Sequence, residues 1–474
     1  MPITARTQCF PARLHARRAA VAIALAMLLG ADVATAQPTR VVSSTSHLRR
    51  EAPLACDTAW SSLRELRTPT RRRVYVEAPV TVANAVGTFL IGAPTYVWAD
   101  SATFIDETSI RHAGNVGVRL LDDSTAIPLP PLPIASEPYM PIAVAHGAKL
   151  LVVWGTSADS SRRAVWHQDT LWEATLEAGR WSAPRPILAA REFKWHPGAG
   201  SFIADDSSLV LAFPSSDETR SRSPAGVMVM VRSRDRWRSR RIDVGGPGAT
   251  GVSVMRSAPD ELLIAAAGSI ERDGIHLLNG VYTIRLSTRS SAGDPGFTVI
   301  RRFDRAHAED PAVFRTARGE HFVWRQPGRL ISANDSLIEA TSRDHGESWT
   351  VTSAVSLDGD TRGMNVASLG SGDAVAMALD IRLGAIRTLR RTMEHWTLTS
   401  ESFPDAKTIP MITVPSDRTS VSFGQTRPSA APDGQLHDAP VLVSAFRPHR
   451  CEPSSAPPSR RRLRAPPRGK STLR

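Results

Sequence analysis

The chain has 474 residues, of which 42% are apolar and 22% charged, a balance that excludes a wholly disordered polymer. Its formal charge of +12 does not mark a nucleic-acid binder. Four arginines and one aspartate fall in the first 36 residues, and seven arginines, one lysine and one glutamate follow residue 447, which leaves the body at only +2.

Residues 1–36 read as a secretory signal peptide. Arg13, Arg17 and Arg18 form the positive region, Ala19 to Leu29 the apolar region, and Ala34-Thr35-Ala36 offers small residues for cleavage before Gln37. The apolar run is too short for a hydrocarbon layer of about 30 Å, and no other long one exists, so no transmembrane anchor is expected. The protein is therefore expected to be exported, periplasmic or extracellular. Cys9 leaves with the leader. Cys56 lies too far beyond the apolar run, behind Pro53, for a lipid anchor. Cys56 and Cys451 are expected to form a disulfide joining the two ends of the mature chain, the alternative being two separate thiols.

Residues 37–73 form a polar, basic N-terminal segment with room for one short helix. Asp57 can cap it, and Trp60, Leu63 and Leu66 roughly share a face. From 74 to 447 the chain breaks into short β-rich runs punctuated by Gly, Pro, Asp and Ser, the pattern of an all-β protein. Pro311 to Val355 holds four candidate strands, and Met140 to Leu188 repeats their order. In both units the second strand ends in Trp, at Trp154 and Trp324. An aromatic opens the fourth strand at Trp181, Trp237, Phe297, Trp349 and Trp396, at intervals of 47 to 60 residues. A repeated four-stranded antiparallel unit is a β-propeller blade.

Blades are expected at about 79–136, 137–191, 192–248, 249–304, 305–359 and 360–405. Three strands from 408 to 447, closed by Val74-Tyr75-Val76, make a seventh, with six blades the alternative. The Arg- and Pro-rich tail, 448–474, is expected to be disordered and is a candidate contact for anionic surfaces.

One motif is sharp. Ser342-Arg343-Asp344-His345-Gly346-Glu347-Ser348-Trp349 matches the Asp-box, S-x-D-x-G-x-[ST]-W. Asp344 can accept turn N–H groups, Gly346 can take positive φ, and Trp349 can bury its ring. By this motif and its blades the chain resembles the sialidase-like, BNR-repeat propellers. The resemblance implies that the box is structural and sits on the blade rim, away from the active centre. It also implies a glycosidase with three arginines, a Tyr nucleophile paired with Glu, and a separate Asp. Those residues do not carry over. The family's Arg-Ile-Pro segment is missing, and no tyrosine follows Tyr282, the others of the mature chain being Tyr75, Tyr96 and Tyr139.

Other glycosidases need two carboxyl groups facing one bond. The adjacent pairs Asp122-Asp123, Asp205-Asp206 and Glu309-Asp310 would point to opposite faces in a strand, and in a loop they read as solvated acids. Gly246 to Gly251 has P-loop glycine spacing without the lysine and reads as a blade linker. No metal-ligand spacing and no G-x-S-x-G elbow occurs, so neither a metal nor a cofactor is expected.

Propeller geometry places a site at the axial funnel, near the starts of innermost strands. The lining candidates are Glu137, Tyr139, Trp195, His196, His307, Glu309, Asp310, Arg362 and Asn365, with His307 to Asp310 and Arg362 the best polar pocket. The expected function is an exported, non-catalytic scaffold binding a glycan or protein ligand there. The alternative is a divergent exo-sialidase-like glycoside hydrolase, and a third reading is an interaction scaffold using the basic tail. No specific nucleic-acid partner is expected, and the sequence leaves oligomeric state open.

Overall fold

Hydrophobic patterning in this chain changes with distance from an axis. Second strands such as Lys149–Thr156 and Ala374–Asp380 are near-continuous apolar runs, buried along almost their whole length. Outer strands such as Thr350–Ser356 are mostly polar and exposed. A strand buried on both faces needs no polar alternation, and one at a solvated rim does. The computed structural model describes residues 60–448 except 77–78, 85, 94, 99–114, 123, 135–138, 157–169, 190–192, 196–200, 205–208, 218–225, 234–235, 245–248, 273–274, 289–297, 304–307, 329–333, 370–372, 393, 415–417 and 431–435.

The strands form seven antiparallel blades, I to VII in chain order. Their innermost strands are Val80–Asn84, Tyr139–His146, Ser201–Ala204, Ala249–Ala258, Glu309–Thr316, Thr361–Ser368 and Met411–Thr413. Each touches the innermost strand of the next blade, and the last touches the first, so the ring is closed. In blade III, Phe193–Trp195 also lies on the inner edge, beside the far end of the second strand, Leu209–Asp217. The six expected blade spans each contain one of these sheets. Among the described residues no helix is long and apolar enough to cross a membrane. Cys56, Cys451, the signal segment and the tail after 448 lie outside the described residues.

Ring closure differs from expectation. The fourth strand of blade VII is Arg64–Glu65, paired with Leu436–Pro448 through Arg64↔Ser444 and Glu65↔Val443. Residues 60–73 hold this extended stretch and a turn, so Trp60, Leu63 and Leu66 lie in extended chain and not on one helical face. Val74-Tyr75-Val76 instead belongs to a two-stranded ribbon, Arg73–Val76 with Thr95–Trp98. Leu66 explains the choice. It is fully buried among Val74, Val76, Val118, Met411 and Leu442, at the seam of blades VII and I. Its N–H donates to Leu442 O at 2.8 Å, and the next carbonyl, of Arg67, accepts the Ala126 N–H of blade I at 2.8 Å.

The turn from Ser342 to Trp349 joins the third and outer strands of blade V. The Asp344 carboxylate accepts Ser342 Oγ at 2.7 Å, the Ser348 N–H at 2.9 Å and the Ser348 hydroxyl. Ser342 Oγ accepts the Gly346 N–H at 2.8 Å. Desolvation works against the Asp344 charge, but these bonds together outweigh it and hold its carboxyl at about 2. Gly346 has φ +82°, and a Cβ there would meet Leu263 Cδ1 at 2.9 Å. The Trp349 ring stands edge-on to Phe303 and Phe322. Every role is architectural.

A second repeat joins blades. Glu173-Ala174-Thr175 and Glu339-Ala340-Thr341 occupy the same place in the third strands of blades II and V. Both glutamates are buried. Glu173 accepts Trp237 Nε1 of blade III at 2.9 Å, and Glu339 accepts Arg391 Nε of blade VI at 2.9 Å. Each glutamate thus ties its own blade to the one that follows.

Candidate functional site

The innermost strands start at one face of the ring. There, four of them carry a register shift in their first residues, at Tyr139/Ile142, Ala249/Gly251, Glu309/Ala312 and Arg362/Met364. A bulge breaks the two-residue alternation and re-aims side chains. In blade V this happens at Asp310, whose φ is +53°, and in blade VI at Gly363, with φ +59°. Left-handed backbone at a non-glycine residue costs on the order of 1–3 kcal/mol, least for Asp and Asn.

That geometry overturns the expectation that Glu309 and Asp310 diverge. Both reach one guanidinium. Arg325, at the end of the second strand, Gly319–Gln326, bonds Asp310 Oδ2 through Nε at 2.7 Å and Glu309 through its other terminal nitrogen. Its Nη1 donates to Asp335 Oδ2 at 3.1 Å and to the Thr361 carbonyl at 2.8 Å. Asp335 also accepts the N–H and hydroxyl of Thr361, both at 2.7 Å, and the Gly328 N–H at 2.9 Å. Asp310 Oδ2 accepts the Met364 N–H at 3.1 Å. These bonds join blade V to blade VI with three carboxylates around one buried cation.

The charges inside this hub follow from burial. Desolvation works against the Arg325 charge, but Asp310, Glu309 and Asp335 outweigh it and hold the guanidinium above its ordinary value. Glu309 keeps 37% of its side-chain surface open. It is nonetheless sunk far enough among protein atoms for desolvation to push its carboxyl up; Asp310 and Asp335 push the same way, and Arg325 opposes. Glu309 is thus the carboxylate of the hub that faces solvent.

The remaining candidates fall as follows. Arg362 is exposed at the start of the blade VI inner strand, beside Thr361 of the hub. Asn365 is buried, and its amide donates to the Pro410 carbonyl, which makes it a tie toward blade VII and not a lining group. Tyr139 begins the blade II inner strand, and Trp195 lies on the inner edge of blade III. Glu137, His196 and His307 lie outside the described residues. Of the other acidic pairs, Asp122 caps its own turn through the N–H groups of Ser124 and Thr125, each at 2.7 Å.

Arg325, Asp335 and Thr361 had no signal in the sequence. Asp335 reads as a loop acid, and Arg325 as the polar end of a buried strand. Among the described residues no cluster of His, Cys, Asp and Glu could hold a metal ion. A hydroxyl–imidazole–carboxylate row does occur toward the opposite face: Thr316 Oγ1 lies 2.8 Å from His321 Nε2, and His321 Nδ1 2.6 Å from Glu339 Oε1. All three residues are buried, His321 is stacked on Phe314, and Thr316 Oγ1 also accepts the Arg318 N–H. A substrate could not reach it, so it reads as a structural network.

No protein-family model matches the chain, and no curated protein does. Among solved structures, a Hadza microbial sialidase is similar over 64% of this chain and 63% of its own, at 15% identity and TM-score 0.38. Trypanosoma rangeli sialidase, in complex with the inhibitor DANA, is similar over 69% and 56%, at 8% identity and TM-score 0.40. The chain thus spans less than two thirds of either sialidase. The lectin of Aleuria aurantia, in complex with a methyl fucoside, is similar over 72% and 97%, at 11% identity and TM-score 0.38. The chain is a seven-bladed β-propeller, similar in architecture to both sialidases and lectins.

Proposed function

We propose that the protein is an exported binding propeller that receives a glycan on its axial face, at the inner-strand starts of blades V and VI, without hydrolysing it. One observation carries this reading: two of the three hub carboxylates, Asp310 and Asp335, are taken up by Arg325 and by groups of blade VI, which leaves Glu309 as the single open carboxyl. A glycosidase needs one carboxyl as acid and a second as base or nucleophile. Asp310 and Asp335 are occupied as structural ligands of Arg325 and of blade VI, so they are unsuited to either role. Tyr282, the last tyrosine in the chain, is 1% exposed inside the core between blades III and IV, where it cannot attack a sugar. Glu309 and Arg362 remain as surface groups. A carboxyl and a guanidinium together suit sugar hydroxyls, which both donate and accept.

The second reading, a divergent sialidase-like hydrolase, is favoured by the raised carboxyl of Glu309, since a general acid needs a proton near neutral pH. A glycan array and a fluorogenic sialoside assay on the full mature chain separate the two. Binding without turnover, weakened about tenfold or more in Glu309→Gln or Arg362→Ala, is expected. Turnover that disappears in Glu309→Gln would sink the binding-only reading. No glycan retained, with the fold intact, would sink both.

A further inference from the structure

The modest charge of the body is unevenly placed. The outer strand of blade III, Arg236–Asp243, reads RWRSRRID. The outer strands of blades V and VI, TVTSAVS and HWTLTSESF, contain no arginine. Arg236, Arg238 and Arg240 are exposed, and their cross-strand neighbours are Ser233, Val231 and Val229, so the three share one face. Alternate residues of a strand repeat every ~6.6–6.8 Å. The strand is held from both faces: Ile242, beyond the arginines on their own face, is buried in the core between blades III and IV, and on the other face Trp237 Nε1 donates to the buried Glu173. Among the described residues no strand pairs with the outer side of this one, so its edge is a row of main-chain donors and acceptors.

Charge on an open edge keeps neutral strands and second copies away. The same charge admits a strand of opposite sign. We propose that this edge docks an extended acidic peptide as an added outer strand of blade III, with Asp or Glu at every second position. The main-chain row supplies hydrogen bonds, and alternate side chains supply selectivity. Carboxylates at alternate positions of an extended peptide repeat at the spacing of the arginines, so each can face one of them across the new pair. A single-stranded nucleic acid would want exposed aromatic platforms, whereas the only aromatic of this strand is tied to Glu173. The site is separate from the axial face and stands whether or not a glycan binds there.

A fluorescently labelled peptide of alternating Val and Glu, titrated with the full mature chain at low and high salt, tests this. It should bind at least about tenfold more tightly than a peptide of the same composition with its glutamates in one block, and should weaken as salt rises. Arg236→Glu/Arg238→Glu/Arg240→Glu should weaken binding by about tenfold or more while the thermal unfolding midpoint stays near that of the parent. N-methylation of alternate peptide amides in one of the two registers, but not the other, should abolish binding. Equal binding of the blocked peptide, indifference to N-methylation in both registers, or unchanged binding by the triple variant would overturn the proposal. Equal competition by oligo-dT or dextran sulfate would also overturn it, replacing the strand with an unspecific polyanion contact.

Discussion

Blades V and VI add directional charge to an apolar seam, in which Phe314, Val323 and Leu337 pack with Met364, Val366 and Leu389, whereas blades VII and I meet through backbone and oil alone. At the first junction Arg325, Asp310 and Asp335 reach across to Thr361 and Met364, and Glu339 reaches Arg391. At the second, Leu66 and Arg67 use their own N–H and carbonyl groups, and side chains from both blades close around Leu66. Closing a ring only requires that two edges stay together, which main-chain bonds do for any extended sequence of suitable hydrophobicity. The proposed presentation of Glu309 and Arg362 to a ligand requires that a strand start be fixed in position, and a guanidinium bonded through all three of its nitrogens does that.

The largest effect should come from the polar junction. Arg325→Met leaves three carboxylates without their cation and should cost about 3–5 kcal/mol, read from urea unfolding. At the seam, Leu66→Ala deletes a fully buried side chain but leaves both main-chain bonds, and should cost about 2–4 kcal/mol. If the seam variant proved the more damaging, closure and not the hub would be the weak point of the ring.

Gly363→Ala sharpens the contrast from within the polar junction. It keeps every charge but puts a Cβ at φ +59°, 1.9 Å from Ile409 Cδ1. A loss of about 1–2 kcal/mol is expected, together with a change in the Glu309 titration followed by NMR. No change in that titration would mean that the bulge does not position the hub.

The smallest effect belongs to the turn, which serves neither junction. The Asp344 carboxyl sits at about 2, against ~3.9 in the unfolded chain. A depressed native value adds stability that is complete above the unfolded value and fades as pH falls toward the native one. Asp344→Asn should therefore be slightly less stable at neutral pH and lose less between about pH 4 and pH 2, measured by thermal unfolding across that range.

The architecture was legible because blades repeat. Trp154 and Trp324 mark second strands and are fully buried there, and the turn at Gly346 does take the positive φ that its sequence demands. The closing strand was misread because Val74-Tyr75-Val76 has stronger β character than Arg64-Glu65. Pairing there was decided by a single buried neighbour, Leu66, which a strand-propensity argument does not see. The charged hub was half legible. Glu309, Asp310 and Arg362 stood out as charges at an inner-strand start, but alternation predicted that the two acids would part. A bulge is a tertiary event, written in the register against the second strand, and Asp310 gives no local sign of it. Asn365 failed for the opposite reason, because its amide was satisfied by a carbonyl 45 residues away.

The pairing of Arg64 with Ser444 also sets an order of events. During synthesis the segment that closes the ring emerges before any of the seven inner strands, and its partner strand emerges after all of them. Until then blade VII cannot be completed. A contact that spans the entire ring carries a high loop-closure entropy and belongs to the slow class of folding steps. Ring closure is therefore a late checkpoint, and a chain cut short anywhere before residue 442 leaves its first described strand without a mate.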